Sequence, residues 1–173
     1  MFYAWENQRG DHKGSLTERL KECGVVLDTS KATKLQSAFG YTFITEIPTI
    51  DCTGLVGESK SVFANGYSRI TTIEKIIVNE TVRYTTWFNN TCPVNVTFEG
   101  VIGQDIAFPY NGNLSVASMK NIISCLKNYR GTDEEFAHTL TFTNGMWTRL
   151  EADSTSPTGT TWKEYVDSLG WNT

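Results

Sequence analysis

A short aromatic signature that recurs at a nearly constant spacing most constrains the fold of this chain. The copies are Ser-Ala-Phe at residues 37–39, Ser-Val-Phe at 61–63 and Thr-Trp-Phe at 86–88. Their phenylalanines are 24 and 25 residues apart, and each copy is followed by a short β-branched run typical of a strand. Self-similarity with a period of about 20 to 50 residues marks a repeat protein, whose units bury their apolar faces against their neighbours. The period therefore predicts that Phe39, Phe63 and Phe88 are buried and stacked along one axis.

The order of apolar runs and turn signals predicts an α/β fold. Short apolar strands alternate with compact crossovers up to about residue 110, and no two-residue hairpin turn separates them, which favours a parallel sheet. In the last third, Ser115 and the capping box Thr161-x-x-Glu164 predict the starts of two helices, whereas Asn144-Gly145 predicts a turn. We therefore expect a solenoid with short parallel strands along one face and a more helical C-terminal cap.

The composition restricts which partners the chain can bind and where in the cell it is expected. The chain has 173 residues and is 39% hydrophobic, which is enough to bury the core of one domain. Its net charge is −4 and its lysines and arginines are scattered, so direct binding to nucleic acid is not expected. The N-terminus lacks the features of a signal peptide, and no apolar stretch is long enough to span a membrane.

The cysteines and the acidic residues do not predict a metal site or a catalytic site. The cysteines lack the spacing of a metal site, so we expect reduced, mainly buried thiols and no cofactor at Cys23, Cys52, Cys92 and Cys125. The acidic run at residues 133–135 suits a helix start. Glu99 and Asp105 flank a loop, but a hydrolase needs such a pair in a cleft where burial raises one pKa. No catalytic residue and no enzymatic activity are therefore predicted.

Exposed aromatic and polar side chains are the stronger candidates for function. Tyrosines near turns can anchor a protein or carbohydrate partner, and polar residues that alternate with apolar ones along a strand face away from the core. The same alternation includes Thr45, Asn95, Thr141 and Thr143. The predicted partner-binding residues are Glu46, Thr72, Glu74 and Thr97 on strands, and Tyr41, Tyr67, Tyr84 and Tyr110 in or beside turns.

Several stretches resemble known repeat proteins. Residues 39–51, Phe-Gly-Tyr-Thr-Phe-Ile-Thr-Glu-Ile-Pro-Thr-Ile-Asp, resemble the irregular leucine-rich repeats of the BspA-like type. Residues 25–33, 96–103 and 114–119 are similar to repeat regions in phage and prophage proteins of Gram-positive gut bacteria, many of them labelled tail-fibre or minor structural proteins. The resemblance covers roughly residues 16–173, although isoleucine and valine stand where a regular repeat has leucine.

The resemblance implies both a fold and a domain organisation. The implied fold is an irregular leucine-rich-repeat solenoid that forms a single domain over residues 1–173. Residues 1–24 would be an N-terminal cap or partial repeat, residues 25–110 the repeats, and residues 111–173 a helical C-terminal part. A solenoid of this kind offers an extended binding face rather than a catalytic cleft.

The function implied by the resemblance is that of a non-catalytic protein-interaction module of phage or prophage origin. It would bind a host macromolecule through one solenoid face, as in host-surface recognition by a tail fibre. The acidic charge and the lack of an assembly region favour an alternative, a small phage-encoded inhibitor of a host defence enzyme, such as an anti-CRISPR protein. A glycan-degrading enzyme is a third alternative. The expected partner is a host cell-surface protein or defence enzyme, with carbohydrate also open, and the expected location is the virion or the host cytoplasm.

Overall fold

Seven short strands and three helices make up the regular structure of the described residues. The computed structural model describes residues 28–39, 45–63, 70–89, 93–110 and 112–173. The strands are β1 (Glu46–Ile47), β2 (Ile50–Asp51), β3 (Thr72–Ile77), β4 (Asn95–Glu99), β5 (Ile106–Ala107), β6 (His138–Thr141) and β7 (Trp171–Asn172). The helices are α1 (Val116–Ser124), α2 (Asn144–Asp153) and α3 (Trp162–Ser168). The predicted N-terminal cap at residues 1–24, together with Cys23 and Cys92, lies outside the described residues.

The strands form two small sheets in which the pairs are parallel. In the first sheet, β1 and β2 follow each other along one side of β3, with Glu46 opposite Thr72 and Ile50 opposite Ile76, and β4 pairs along the other side. Pro48 separates β1 from β2, because proline cannot donate a hydrogen bond to the ladder. The second sheet has the order β5-β6-β7. The predicted short parallel strands are therefore present.

A row of stacked aromatic rings runs through the core. Phe39, Phe63 and Phe88 are fully buried, and the ring centroids of successive members are 5.7 and 5.5 Å apart. Phe108 continues the row at 4.4 Å from Phe88, and Phe142 follows at 5.8 Å in a tilted arrangement. The prediction that the recurring phenylalanines are buried and stacked is confirmed.

The predicted irregular leucine-rich-repeat solenoid, however, is wrong. The described strands form two separate small sheets accompanied by three helices, and no solenoid is detected in these residues. The stacked aromatic residues also lose their period, since 20 residues separate Phe88 from Phe108 and 34 separate Phe108 from Phe142. The fold is better described as a small α/β structure in which inserted helices interrupt the repeated strand spacing.

Helix α1 gives the physical reason for the end of the first sheet. The N–H of Val96 on β4 donates to Ser118 Oγ at 2.9 Å. Asn121 binds both backbone groups of Phe98 at this edge: its Oδ1 accepts from the Phe98 N–H at 2.6 Å, and its Nδ2 donates to the Phe98 carbonyl at 3.1 Å. Side chains of α1 thus occupy the edge of β4 that a fifth strand would need.

The C-terminal helices agree with two of the sequence signals and contradict a third. Ser115 caps α1, and the reciprocal capping box of Thr161 and Glu164 is formed at α3, as predicted. The turn predicted at Asn144-Gly145 is wrong, because α2 begins at Asn144. Thr143 caps this helix by accepting a hydrogen bond from the Met146 N–H at 3.3 Å.

Candidate functional site

The candidate site is the solvent-facing side of the first sheet. We call it the outward sheet face and define it by Glu46, Thr72, Glu74, Asn95 and Thr97. Successive side chains of a strand point to opposite faces. The neighbouring inward side chains belong to the core and are at most 2% exposed: Ile47, Ile73, Val96 and Phe98. The alternation that covers the core on one side therefore places these polar side chains on the other.

Strand register aligns part of this face into a row. Glu46 is opposite Thr72, and Thr72 is opposite Asn95. Because neighbouring strands lie roughly 4.8 Å apart, the row is about 10 Å long. Within the described residues, the side chains of Glu46, Thr72 and Thr97 take part in no hydrogen bond or ion pair of the fold. The described part of the fold therefore leaves these three groups available to a partner.

An irregularity in β3 adds a charged pair to the face. Ile73 and Ile76 both point into the core, so two residues between them, Glu74 and Lys75, lie opposite one residue of β4. This is the arrangement of a β-bulge, which re-aims side chains. Lys75 Nζ lies 2.5 Å from the Glu99 carboxylate at the end of β4. With Glu46 and Glu74, the sheet surface carries three carboxylates and one ammonium group, so its local charge is negative.

The predicted tyrosine anchors do not gather at this site. Tyr84 is fully buried, its hydroxyl accepts from the Asn79 N–H at 3.0 Å, and burial raises the pKa of its phenol. The prediction that Tyr84 is an exposed anchor is therefore wrong, because its ring belongs to the core. Tyr110 is 64% exposed but follows β5, which belongs to the second sheet. Tyr41 and Tyr67 lie outside the described residues.

Two of the candidate acidic residues, Asp105 and Glu135, make contacts within the fold. Asp105 Oδ1 accepts a hydrogen bond from the Thr139 N–H at 2.9 Å, and its other oxygen lies 3.6 Å from the Arg83 guanidinium. Glu135 forms a 2.5 Å ion pair with Arg130 and also accepts from a backbone N–H. These contacts give both carboxylates a role in the structure.

The most unusual polar group is the buried imidazole of His138. It is 7% exposed, and its two ring nitrogens lie 3.8 Å from the Asp105 carboxylate and 3.6 Å from the Glu134 carboxylate. Neither nitrogen makes a hydrogen bond. The ring packs near Tyr129 and Trp171, at centroid distances of 4.8 and 5.7 Å. In the part of the chain that the structure describes, no group of three or more His, Cys, Asp or Glu side chains is arranged to hold a metal ion.

The two described cysteines are free thiols. Cys52 is fully buried, and its burial raises the pKa of the thiol to about 12. Cys125 is half-buried, its S–H donates to the Phe98 carbonyl at 3.4 Å, and burial raises its pKa as well. A raised pKa disfavours the reactive thiolate. Both residues therefore act as apolar fillers, as the sequence predicted for them.

One component of the site was missed by sequence reasoning. Lys75 reaches the sheet surface only because β3 is irregular, and a strict alternation would not place it beside Glu74. A signal was present nevertheless, since Ile73 and Ile76 are three residues apart rather than two or four. An odd spacing between core residues of one strand indicates a bulge.

Comparison with known proteins provides no information on the site. No protein-family model, curated protein or solved structure matches this chain. None of the helices in the described residues has the length and apolar character needed to cross a membrane.

Proposed function

We propose that this chain is a non-catalytic protein-interaction module that binds a host macromolecule through the outward sheet face. The observation that carries the proposal is a set of exposed or half-buried polar side chains that the described part of the fold does not use. Glu46, Thr72 and Thr97 make no hydrogen bond or ion pair within the described residues, although the strands that bear them pair with one another in the first sheet. Side chains presented on strands are held rigidly, which lowers the entropic cost of binding.

The contacts of the acidic residues support a binding role over a catalytic one. The carboxylates of Asp105, Glu99 and Glu135 are each engaged by a cation, and Asp105 and Glu135 also accept backbone hydrogen bonds. A general acid or base needs a proton-transfer partner in a substrate site, with its pKa tuned near the working pH. Here the surrounding cations and N–H groups give these carboxylates a structural purpose instead.

The nature of the partner is proposed from the sequence resemblance together with the charge of the face. Similarity to phage and prophage tail-fibre or minor structural proteins points to a host cell-surface component. An acidic face suits a partner with a cationic surface, since complementary charge steers association. We therefore propose association with the virion as the setting in which the module acts.

The test compares a face variant with a matched control. Thr72→Arg combined with Thr97→Arg places two bulky cations on the outward sheet face, and Thr148→Arg makes the same substitution at an exposed position on α2. Binding of the fluorescently labelled proteins is measured on whole cells of Gram-positive gut bacteria and by pulldown from their lysates. An anchor residue contributes about 1–4 kcal/mol, so we expect a loss of tenfold or more for the face variant only.

Two results would contradict the proposal. One is equal binding by the face variant and the wild type, with both of them folded as judged by thermal unfolding. The other is a chemical activity that disappears in Asp105→Asn or Glu99→Gln while binding and folding are retained. Either result would move the functional site away from the outward sheet face.

A second candidate function is an inhibitor of a host defence enzyme. It is favoured by the three carboxylates and single ammonium group on the sheet surface, because an acidic surface can occupy a basic substrate channel. In that case the pulldown would recover a cytoplasmic enzyme, whole-cell binding would be absent, and Glu46→Lys with Glu74→Lys would abolish the inhibition.

A further inference from the structure

The imidazole of His138 lies between two carboxylates although it is part of the core. His138 begins β6 and is 7% exposed. Its Nδ1 lies 3.8 Å from a carboxylate oxygen of Asp105, and its Nε2 lies 3.6 Å from a carboxylate oxygen of Glu134. Neither nitrogen has a hydrogen-bond partner within the described residues. Because a charge-assisted hydrogen bond is about 2.7–2.9 Å long, both contacts are close without being bonded.

The two flanking groups match a protonated imidazole and not a neutral one. An ionised carboxylate only accepts hydrogen bonds, whereas a neutral imidazole has one N–H donor and one acceptor nitrogen. In either neutral tautomer, one nitrogen therefore directs its lone pair at a carboxylate. The imidazolium form has a donor at both nitrogens. It is the one form of the ring that can hydrogen-bond to Asp105 and Glu134 together.

The two carboxylates differ in their freedom to move. Asp105 directly precedes β5, and it is fixed by the Thr139 N–H at 2.9 Å and by the Arg83 guanidinium at 3.6 Å. Glu134 lies in the loop of residues 132–137, and its side chain is 58% exposed. Its backbone N–H donates to the Thr132 hydroxyl within the same loop. When a hydrogen bond forms at Nε2, Glu134 and its loop are therefore the part that moves.

The other polar groups around the ring have partners of their own. The Tyr129 ring lies 4.8 Å from the His138 ring between centroids, and its hydroxyl donates to the Gly103 carbonyl at 2.6 Å. Burial, more than any neighbouring charge, raises the pKa of Tyr129, so the phenol stays neutral. Lys127 Nζ lies 5.1 Å from the Tyr129 ring centroid and pairs with Glu80 at 2.6 Å. The remaining groups are the uncharged Trp171 ring of β7, 5.7 Å from the imidazole, and the Arg130–Glu135 ion pair beside Glu134 in the sequence.

We propose that His138 and Glu134 form a pH-sensitive latch, in which protonation of the imidazole draws the 132–137 loop toward the start of β6. The ring takes up one proton from water, and Nε2 then donates to the Glu134 carboxylate. Histidine is the side chain that ordinarily changes charge between about pH 5 and 8, where carboxylates remain ionised. In the same loop, the Phe136 N–H donates to the Gly170 carbonyl and the Phe136 carbonyl accepts from Asn172 Nδ2, both at 2.6 Å. Movement of the loop is therefore transmitted to β7 in the second sheet.

The test follows the imidazole and the loop together by NMR spectroscopy. The full chain is labelled with ¹⁵N and carries His12→Gln, because His12 is the other histidine of the sequence. As the pH falls from 8 to 5, signals of both ring N–H groups of His138 should appear. The backbone amide signals of residues 133–137 should shift with the same midpoint as the ring, because one proton controls both.

Two neighbouring acidic residues provide the variant and its matched control. Glu134→Gln removes the charge that faces Nε2, at a side chain exposed enough to leave the core intact. Its loop amides should lose most of their pH response, and the ring should titrate at a lower pH than in the parent protein. Asp133→Asn makes the same charge change at an exposed residue whose carboxylate is not one of the two that face the ring. It should respond like the parent protein.

Any of four outcomes would overturn the inference. The first is a His138 ring that does not change charge between pH 8 and 5, and the second is a ring that titrates without a response from the loop. The third is a Glu134→Gln protein with the loop response and midpoint of the parent. The fourth is an Asp133→Asn protein that loses the response as Glu134→Gln does, which would assign it to the net charge of the loop.

Discussion

The first sheet and the C-terminal helices of this molecule use their polar side chains in different ways. On helix α2, polar side chains bind other parts of the fold: Arg149 donates to the carbonyls of Gly112 and Leu114 at 2.8 Å, and Glu151 accepts the Trp162 N–H at 2.7 Å. On the outward face of the first sheet, Thr72 and Thr97 have no such role within the described residues. Polar side chains that the described part of the fold does not use are available to a partner, which is why we take the outward sheet face as the candidate site.

The largest expected effect tests the aromatic stack that both regions share. Phe88 is fully buried and stacks on Phe63 and Phe108. Phe88→Ala should lower the free energy of unfolding by about 3–5 kcal/mol, because it removes a large apolar side chain and leaves a cavity. Val56→Ala, at a position that is 69% exposed, should change it by less than about 0.5 kcal/mol. Chemical denaturation measures both, and equal effects would contradict a shared core.

The next effect concerns the boundary between the two regions. Asn121→Ala removes two hydrogen bonds to Phe98, so the Phe98 N–H loses its partner while the carbonyl keeps the hydrogen bond from Cys125. A buried backbone group left without a partner costs about 1–3 kcal/mol, so we expect a loss of stability in that range. The Phe98 amide should also exchange its hydrogen faster.

Ser124→Ala is the matched control for the boundary, because it alters an exposed hydroxyl on the same helix. It should change stability by less than about 0.5 kcal/mol. An Asn121→Ala protein as stable as this control would show that α1 does not terminate the sheet.

A smaller effect is expected from the capping box of α3 in the C-terminal region. Thr161→Ala removes the acceptor for the Glu164 N–H and should cost about 1 kcal/mol, as other N-cap replacements do. Thermal unfolding measures the change. If Thr161→Ser keeps the wild-type stability and Thr161→Val does not, the effect is due to the hydroxyl group.

The same capping box predicts a pH dependence. The backbone N–H of Thr161, followed by its hydroxyl, holds the pKa of Glu164 below its usual value of 4.5. The charged form is therefore favoured by folding, so its contribution is fully present above pH 4.5 and is lost as pH falls through the lowered pKa. Glu164→Gln should flatten this part of the stability curve between neutral and acidic pH. An unchanged curve would contradict the reciprocal hydrogen bond.

The smallest expected effect concerns the reactivity of the Cys52 thiol rather than the stability of the protein. Cys52 is buried and its thiol pKa is raised to about 12, so it should resist alkylation at pH 8 in the folded protein and react fully after denaturation. Peptide mapping by mass spectrometry measures each cysteine separately. Rapid labelling of native Cys52 would show that the interior of the first region opens readily.

Local signals in the sequence predicted local structure well. Phe39, Phe63 and Phe88 were placed in the core by their period, and the caps at Ser115 and Thr161 were found from residues within one helical turn. The outward position of Glu46, Thr72 and Thr97 followed from strand alternation alone. Such signals succeed because an N-cap or a strand face depends on neighbours a few residues away.

The failures share another cause, which is dependence on distant contacts. Asn144-Gly145 has the chemistry of a turn, yet α2 begins there because Thr143 caps it and Met146, Trp147 and Leu150 pack into the core. Tyr84 stands near a turn in the sequence, but contacts with Trp87 and Phe98 bury its ring. Turn chemistry does not reveal whether another part of the chain will cover a residue.

The sequence by itself therefore determined the α/β character, the aromatic stack, two helix starts and the polar face of the first sheet. Only the tertiary structure decided that the strands form two sheets rather than a solenoid, that Tyr84 is a core residue and that Lys75 joins the outward surface. The physical reason is that α1 supplies Ser118 and Asn121 to the open edge of β4, over a separation of 22 and 23 residues. Periodicity records what each segment buries, whereas the partner that completes its hydrogen bonds is chosen by the fold as a whole.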